Sequence, residues 1–492
     1  MKYNILLITT DSQRTDTLGC MGSSFACSPN IDALASRGVL FTQAHSAAPV
    51  CMPARCSMLS GLHAPLHGCT ENGLKRRTDI PAFTDTLKDA GYHTIMAGKC
   101  HFGPLPSSFD AACTVTGEKG AASDDYFAKE LRRRGYSRSS AHPNLRPEKD
   151  CLESIIVDKT IESIQAALKT GKPFFAWCSL LSPHSPLDPP GRWMSGSVFK
   201  GSIPDPVYKK HEWEKLPPTV KRFCGIPNPE QRGREPPQGL IEARGNVADT
   251  LETAEIREYN DLYYRSAAYV DSLVGRLTAF LDDSGLREST LLIFTSDHGI
   301  QNFDHGFNDK HNYYDQSLRV PFIMSLPGLL PENEKRGFAS HVDLASTIAA
   351  AAGSTCDFAS GFDLFTPLVR REAMPRHWAV SSLYGSLALV TQRWKLEYYY
   401  FDDQTRLFDR LKDPGEENDL SGNRDLAELQ AFLCRALLSW RAALMDIREI
   451  QQNTGPGGPV AGRVIHDIKS RKGRDTETRL GELLDQTPSP FT

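Results

Sequence analysis

Short apolar runs alternate with amphipathic stretches over most of this chain, beginning with N-I-L-L-I-T-T at 4–10, which predicts a buried strand. Helical periodicity follows at 30–37, a strand pattern near 40–42, and a second helix beginning near Pro53. The rhythm continues with a helix at 84–90, a strand at 94–97, a helix at 152–168 and a fully apolar strand at 174–179. Residues 254–283 fit one long amphipathic helix, and 290–295 the strand after it. Strands separated by helices need crossover connections, so the pattern implies an α/β sheet with mainly parallel pairing. Ligand sites in such sheets gather at the carboxyl ends of the strands.

Two segments break the rhythm. Residues 107–150 are rich in Ser, Arg and Gly, and 190–250 carry many prolines, glycines and charges. Both are expected to be long loops or insertions, of the kind that form cleft walls or stay disordered. After about residue 375 the pattern turns strand-rich at 378–383, 387–391 and 394–401, then helical at 425–445, which predicts a smaller α+β domain with an antiparallel sheet. The expected division is a catalytic domain over 1–375, a C-terminal subdomain over 376–449, and an extended tail over 450–492 that could wrap a neighbouring copy in a homo-oligomer. No internal repeat is visible.

At 492 residues the chain can bury a large core. Its formal net charge of −4 gives no electrostatic case for nucleic acid, although Arg55, Lys99 and Lys310 could form a local anion site. No segment approaches the length of a membrane span, and the apolar start runs into Asp11 without a cleavage pattern, so a soluble, cytoplasmic protein is expected. The 12 cysteines lack metal-type or disulfide-framework spacing, which points to reduced thiols; Cys20, Cys27, Cys56, Cys69, Cys113 and Cys224 are expected to be packing residues.

Candidate chemistry centres on C-M-P-A-R at 51–55, continued by C-S-M-L-S-G at 56–61. Arg55 follows Cys51 by four residues, so a helix starting near Pro53 would keep both on one side, with its N-terminus favouring negative charge. Asp11 ends the first strand, and Asp297 with His298 ends a later one. A parallel sheet could bring all three to one edge, where they would suit a hard divalent cation. Each feature alone is ordinary: a lone Cys is usually packing, an Asp at a strand end usually a cap, and a lysine usually solvated.

The C-x-P-x-R pattern with S-x-L-x-G behind it resembles the signature of the type I sulfatases, whose Cys is oxidised after translation to formylglycine. The resemblance extends through M-A-G-K-C-H-F-G at 96–103, S-P-H-S-P around His184, T-S-D-H-G around Asp297 and His298, Lys310, R-V-P-F-I at 319–323, and R-L-F-D-R-L-K-D-P-G-E-E-N-D-L at 406–420. It implies an alkaline-phosphatase-like α/β fold with a large mixed, mostly parallel sheet flanked by helices. It also implies a metal held by Asp11, Asp297, His298 and the modified Cys51, with Ca²⁺ favoured and Mn²⁺ or Mg²⁺ as alternatives. In the same family pattern Cys51 is the nucleophile, and Arg55 and Lys99 neutralise charge. His101 is the base that regenerates the aldehyde, while His184 and Lys310 bind the sulfate and protonate the leaving group. A formylglycine-generating enzyme would be a partner during maturation, and the substrate would be a small-molecule or saccharide sulfate ester.

Two departures keep a second activity open. Many sulfatases have another Asp directly after the first, where this chain has Ser12 and then Gln13, and His298 stands where many arylsulfatases have Asn. Both features suit the related phosphonate monoester hydrolases, so hydrolysis of a phosphonate monoester or phosphodiester is the alternative. A third possibility from another class is a silent binding protein in which Cys51 stays a thiol. Gln13, Asn72 and Asn302 are candidate neutral contacts, and His305 and His311 either reach substrate or orient loops. His63 and His67 are expected to be structural. Trp193, Trp213, Tyr263 and Tyr264 could stack on a sugar or aryl ring, or simply pack.

Overall fold

The computed structural model describes residues 2–115, 125–136, 144–194, 196, 198–226, 246–452 and 473–486. Eight strands build the main sheet: β1 (Asn4–Asp11), β2 (Val39–His45), β3 (His93–Lys99), β4 (Ala111–Val115), β5 (Phe174–Pro183), β6 (Thr290–Ser296), β7 (Phe322–Ser325) and β8 (Glu334–Ser340). Their order is β4-β3-β5-β1-β6-β7-β2-β8. Every neighbouring pair is parallel except those of β7, which runs antiparallel to β6 and β2, so the sheet is mixed and mostly parallel, as the sequence pattern predicts.

Covering both faces with helices explains why the central strands carry continuous apolar runs, such as I-L-L-I in β1 and L-L-I-F in β6, instead of alternating. In β1, Ile5 and Leu7 face one core layer, with Phe175, Trp177, Leu291 and Ile293 beside them and Met58, Leu59, Phe83 and Ile348 packed on top. Leu6 and Ile8 face the other layer, against Ile155 and Ile156 of the helix Leu152–Leu168 and Leu273, Val274 and Leu277 of the helix Thr253–Asp283. The latter helix starts where the Glu255 carboxylate accepts from Glu252 N at 2.8 Å, satisfying an otherwise open N–H.

The helix carrying the C-M-P-A-R run begins at Cys51 rather than near Pro53, spanning Cys51–Ser60. Pro53 sits within the first turn, where its missing N–H costs no intrahelical bond. Cys51 therefore occupies the first helical position. The two interruptions are not loops throughout: β4 and the helix Tyr126–Arg133 lie in the first, and the helix Pro218–Cys224 in the second. Residues 116–124, 137–143, 195, 197 and 227–245 of these segments lie outside the described residues.

A second, antiparallel sheet of four strands follows: β9 (Ala379–Leu383), β10 (Ser386–Val390), β11 (Trp394–Tyr399) and β12 (Gln404–Asp409), in the order β12-β11-β10-β9. The helix Ala427–Gln452 covers one face through Leu433, Leu437 and Trp440. The stretch 450–492, expected to be an extended tail, contains a helix over Gly473–Leu484, with the rest beyond Gln486 and over 453–472 outside the described residues. Leu480 joins the core of the second sheet, and Glu477 is wholly buried.

Glu477 closes a buried polar network. Its Oε1 accepts from Trp440 Nε1 at 2.8 Å and lies 2.9 Å from His63 Nε2, while Oε2 accepts from Arg376 Nη1 at 3.0 Å. Arg376 also makes a two-pronged pair with Asp343, at 2.8 Å for each contact. His63 lies just beyond the Cys51–Ser60 helix, so the chain's last described helix is tied directly to the segment after the candidate nucleophile.

Candidate active site at the sheet edge

Parallel pairing of β1 with β5 and β6, and of β3 with β5, brings four carboxyl strand ends to one edge. Asp11 and Lys99 are the last residues of β1 and β3, Asp297 and His298 follow β6, and His184 follows β5. The Cys51–Ser60 helix points its N-terminus at this edge. One ligand atom from each of Asp11, Cys51, Asp297 and His298 lies within 4.8 Å of all the others, and all four residues are buried.

Cations surround this cluster. Arg55 Nε donates to Asp297 Oδ2 at 2.9 Å and Nη1 to Ser179 Oγ at 2.7 Å, while Nη2 is 3.5 Å from Asp11 Oδ2. Lys99 Nζ donates to Asp11 Oδ2, and Lys310 Nζ lies 3.2 Å from Cys51 Sγ. His298 Nδ1 donates to the Gly299 carbonyl at 2.8 Å, which leaves the Nε2 lone pair 3.2 Å from the same sulfur. Burial pushes the Cys51 thiol up, but Lys310, Lys99 and His298, with a hydrogen bond from His101, pull it well below the usual thiol range. Burial also opposes ionisation of Asp11, yet Lys99, His184 and Lys310 hold its carboxyl far below normal. His101 is pushed below its ordinary value, chiefly by burial and also by Lys99, although its bond to Cys51 acts the other way.

Backbone geometry is tuned to this arrangement. Gly98, directly before Lys99, has φ +98°, and a Cβ there would lie 1.9 Å from the Ser179 carbonyl oxygen. Ser12 takes φ +63°, which turns its N–H toward Asp297 Oδ1 at 3.1 Å. Its hydroxyl donates to Asp11 Oδ1 at 3.0 Å. Gln13 Nε2 is held by Thr17 at 3.1 Å, and its Oε1 has no hydrogen-bond partner among the described residues. A dry set of two carboxylates, an imidazole nitrogen and the Cys51 side chain, with a spare amide oxygen nearby in sequence, is a donor set that fits a hard divalent cation.

The remaining sequence candidates divide. Asn72 Oδ1 accepts from Met52 N at 3.0 Å and so braces the start of the Cys51–Ser60 helix, while Asn302 is buried with neither amide atom partnered among the described residues. His311 Nε2 sits 3.0 Å from Glu71, beside the site, whereas His305 stacks on Tyr314 and is 2.9 Å from Glu212. His63 contacts Glu477 and His67 contacts Ser57 at 3.0 Å, both structural positions. Tyr263 is buried, with its hydroxyl donating to the Ser12 carbonyl at 2.7 Å and accepting from Arg14 N at 2.9 Å; Tyr264 donates to Asp16. Trp213 Nε1 donates to Asp249 at 3.0 Å, and Trp193 packs on Tyr269. Tyr263 and Tyr264 are buried, whereas Trp193 and Trp213 are only partly so.

Sequence reasoning missed Ser179, Ser46 and His341. Ser179 receives Arg55; Ser46 Oγ donates to the Asp297 carbonyl at 2.6 Å, and His341 Nε2 lies 2.9 Å from the Ser296 carbonyl. A hydroxyl within the otherwise apolar run F-F-A-W-C-S-L-L was the available signal for Ser179. The other two carry none, because their partners are distant in the chain.

A mixed, mostly parallel sheet delivering carboxylates and lysines to one edge, over Cys51 at a helix start, has the architecture of an alkaline-phosphatase-like α/β fold. The fold is similar to that of the phosphonate monoester hydrolase of Agrobacterium radiobacter, with TM-score 0.76 and 21% identity over 90% of this chain and 96% of that one. It is also similar to a protein solved in complex with its substrate D-glucosamine-2-N,6-O-disulfate, with TM-score 0.73 and 22% identity over 91% and 99% of the two chains. The sulfatase family profile matches residues 3–354, and that of the N-sulphoglucosamine sulphohydrolase C-terminal region matches 303–443; the chain belongs to the sulfatase family. An arylsulfatase of Clostridium perfringens is 27% identical over 480 residues, covering 89% of this chain and 94% of the relative. Among the described residues no helix is long and apolar enough to cross a membrane.

Proposed function

We propose that this chain is a sulfuric ester hydrolase that uses a formylglycine made from Cys51, with one divalent cation, to release inorganic sulfate from a small-molecule or saccharide sulfate ester. The observation that carries the reading is the environment of the Cys51 sulfur: it is enclosed, 3.2 Å from both Lys310 Nζ and His298 Nε2, at the start of a helix. In this geometry Sγ stands in for a hydroxyl of the hydrated aldehyde. Asp11, Asp297, His298 and the modified residue 51 would hold the cation, Ca²⁺ first and Mn²⁺ or Mg²⁺ next, with Ser12 or Gln13 adding a neutral oxygen. The cation supplies positive charge and Lewis acidity at this position.

The protein's own groups account for the remaining steps. One hydroxyl of the diol, its proton already lost to solvent beside the positive charge of Lys310, would attack sulfur, forming a new S–O bond as the ester S–O bond to the leaving group breaks. Arg55 fixes Asp297 and spreads positive charge beneath the nucleophile, while Lys99 and Lys310 neutralise the sulfuryl oxygens. His184 Nδ1 is engaged by the Ser185 carbonyl at 2.5 Å, leaving Nε2 to protonate the departing oxygen together with Lys310. His101, kept neutral by burial and by Lys99, takes the proton from the second hydroxyl. The carbon–oxygen bond to sulfate then breaks, the aldehyde reforms, and water adds back to it.

A second reading, hydrolysis of a phosphonate monoester or phosphodiester by the same groups, is favoured by Ser12, which leaves the cation one carboxylate fewer than many sulfatases provide. The proposed setting is a cytoplasmic enzyme with a catalytic unit over 1–375 and a smaller one over 376–449, matured by a formylglycine-generating enzyme. Mass spectrometry of the tryptic peptide 38–55 should find the aldehyde or its hydrate, and Cys51→Ala should lose on the order of 10⁴-fold in kcat. Full activity in Cys51→Ala, or thiol alone in protein from a host with the maturation machinery, would sink the reading. Rates on sulfate and phosphonate esters sharing one leaving group decide between the two reactions.

A further inference from the structure

Lys310 lies against the Cys51 sulfur, and the next residue, His311, begins a run of aromatic rings that leads away from the site to the surface. The His311 ring stacks on Phe223, with centroids 5.9 Å apart and planes 8° apart. Phe223 meets Tyr384 edge-on at 6.3 Å, and Tyr384 meets Phe401 at 5.2 Å and 71°. The inner end is enclosed and the outer end open: His311 is 4% exposed, Tyr384 48% and Phe401 57%.

The run is held in place from two sides. Cys224 Sγ donates to the Lys310 carbonyl at 2.8 Å, and Thr219 N donates to Asp402 at 2.8 Å, so the Pro218–Cys224 helix bridges the segment carrying Lys310 and the second sheet. Two polar atoms at the inner end are buried without a partner among the described residues: His311 Nδ1 and Glu71 Oε2. Their other atoms are already committed to each other, Nε2 to Oε1 at 3.0 Å.

Resting on the hydrolase reading above, we propose that His311, Glu71, Phe223, Tyr384 and Phe401 form the leaving-group subsite and that its occupant is a saccharide of more than one ring. A planar aryl group would satisfy the rings but leave the imidazole nitrogen and the carboxylate oxygen unpaired. A sugar offers hydroxyls to both, and the C–H face of its ring packs on aromatic surface. Successive aromatic steps at 5–6 Å spacing match a chain of rings better than a single small alcohol. The second sheet contributes its exposed rings to the catalytic edge in this arrangement, so the two sheets share one substrate.

The test compares kcat/KM for 4-nitrophenyl sulfate and for a panel of mono- and disaccharide O-sulfates, in the wild-type protein and in Tyr384→Ala/Phe401→Ala. Leu411→Ala, at an exposed position with no place in the site, is the control for surface substitution. The expected result is a roughly tenfold larger fall for disaccharide sulfates than for 4-nitrophenyl sulfate, carried by KM, with monosaccharide sulfates between. Equal falls on every substrate, or no fall, overturn the subsite. So does a wild-type enzyme that hydrolyses 4-nitrophenyl sulfate but no saccharide sulfate, and so does loss of a dimer in sedimentation of the double variant, which would assign the rings to a second copy. A wild-type protein inactive on every sulfate ester fails the hydrolase reading itself. Phe401→Ala alone, the more exposed of the two, provides a folded variant should the pair be unstable.

Discussion

Replacing Glu477 by Gln tests whether the last described helix is fastened by charge. Burial alone would raise this carboxyl, but His63 and Arg376, with hydrogen bonds from His63 and Trp440, bring it from an ordinary 4.5 to about 2. That difference corresponds to about 3 kcal/mol of stabilisation, in line with the ~3–5 kcal/mol lost when one partner of a buried ion pair is removed. A carboxyl whose folded pKa is depressed contributes above its unfolded value and loses the contribution as pH falls through the folded one. The stability gap between wild type and Glu477→Gln should therefore be about 3 kcal/mol at pH 6 and narrow from pH 4.5 down to about 2. Guanidinium denaturation at a series of pH values, followed by tryptophan fluorescence, measures the gap directly, since Trp440 bonds to the altered group. A gap under about 1 kcal/mol at pH 6, or one that does not change with pH, would falsify the account of this network.

Two further predictions concern the catalytic edge. Gly98→Ala should leave little active protein, because the new Cβ would meet the Ser179 carbonyl in a backbone conformation that favours glycine, displacing both the support of Arg55 and Lys99; normal activity in a folded variant would contradict this. Ser12→Asp should lower thermal stability in chelator, where its carboxylate faces Asp11, and widen the gain in Tm on adding Ca²⁺; the positive φ at this position is one that Asp tolerates. An unchanged gain would mean that residue 12 does not face the cation.

Most of the sheet was legible because β1, β2, β3, β5 and β6 declare themselves locally, and because Asp11, Lys99, His184 and Asp297 all stand at or just past strand ends, where a parallel sheet collects them; β4, β7 and β8 were not read as strands. Helix starts were less legible. Proline is tolerated throughout the first turn, so Pro53 alone could not tell a helix starting at its own position from one starting at Cys51. Illegible from sequence were the groups that support the site from far along the chain: Ser179 under Arg55, Glu71 beside His311, and Glu477 against His63. A Gly- and Pro-rich stretch before residue 473 gives no local sign that the helix beyond it plants a carboxylate in the core. The aromatic run from His311 to Phe401 likewise joins four separate segments.

Cys51 has no exposed surface in the folded chain, and the segment just after its helix is fastened through His63 to Glu477, which lies far along the chain. During synthesis the residue leaves the ribosome long before the closing helix exists. At ~5–20 residues per second the interval is on the order of tens of seconds. On the proposed reading, in which residue 51 becomes formylglycine, the maturation enzyme would have to reach the thiol in that window, ahead of closure. The proportion of competent enzyme would then be fixed by a race between translation and maturation, and slowing elongation should raise it without any change in the finished fold.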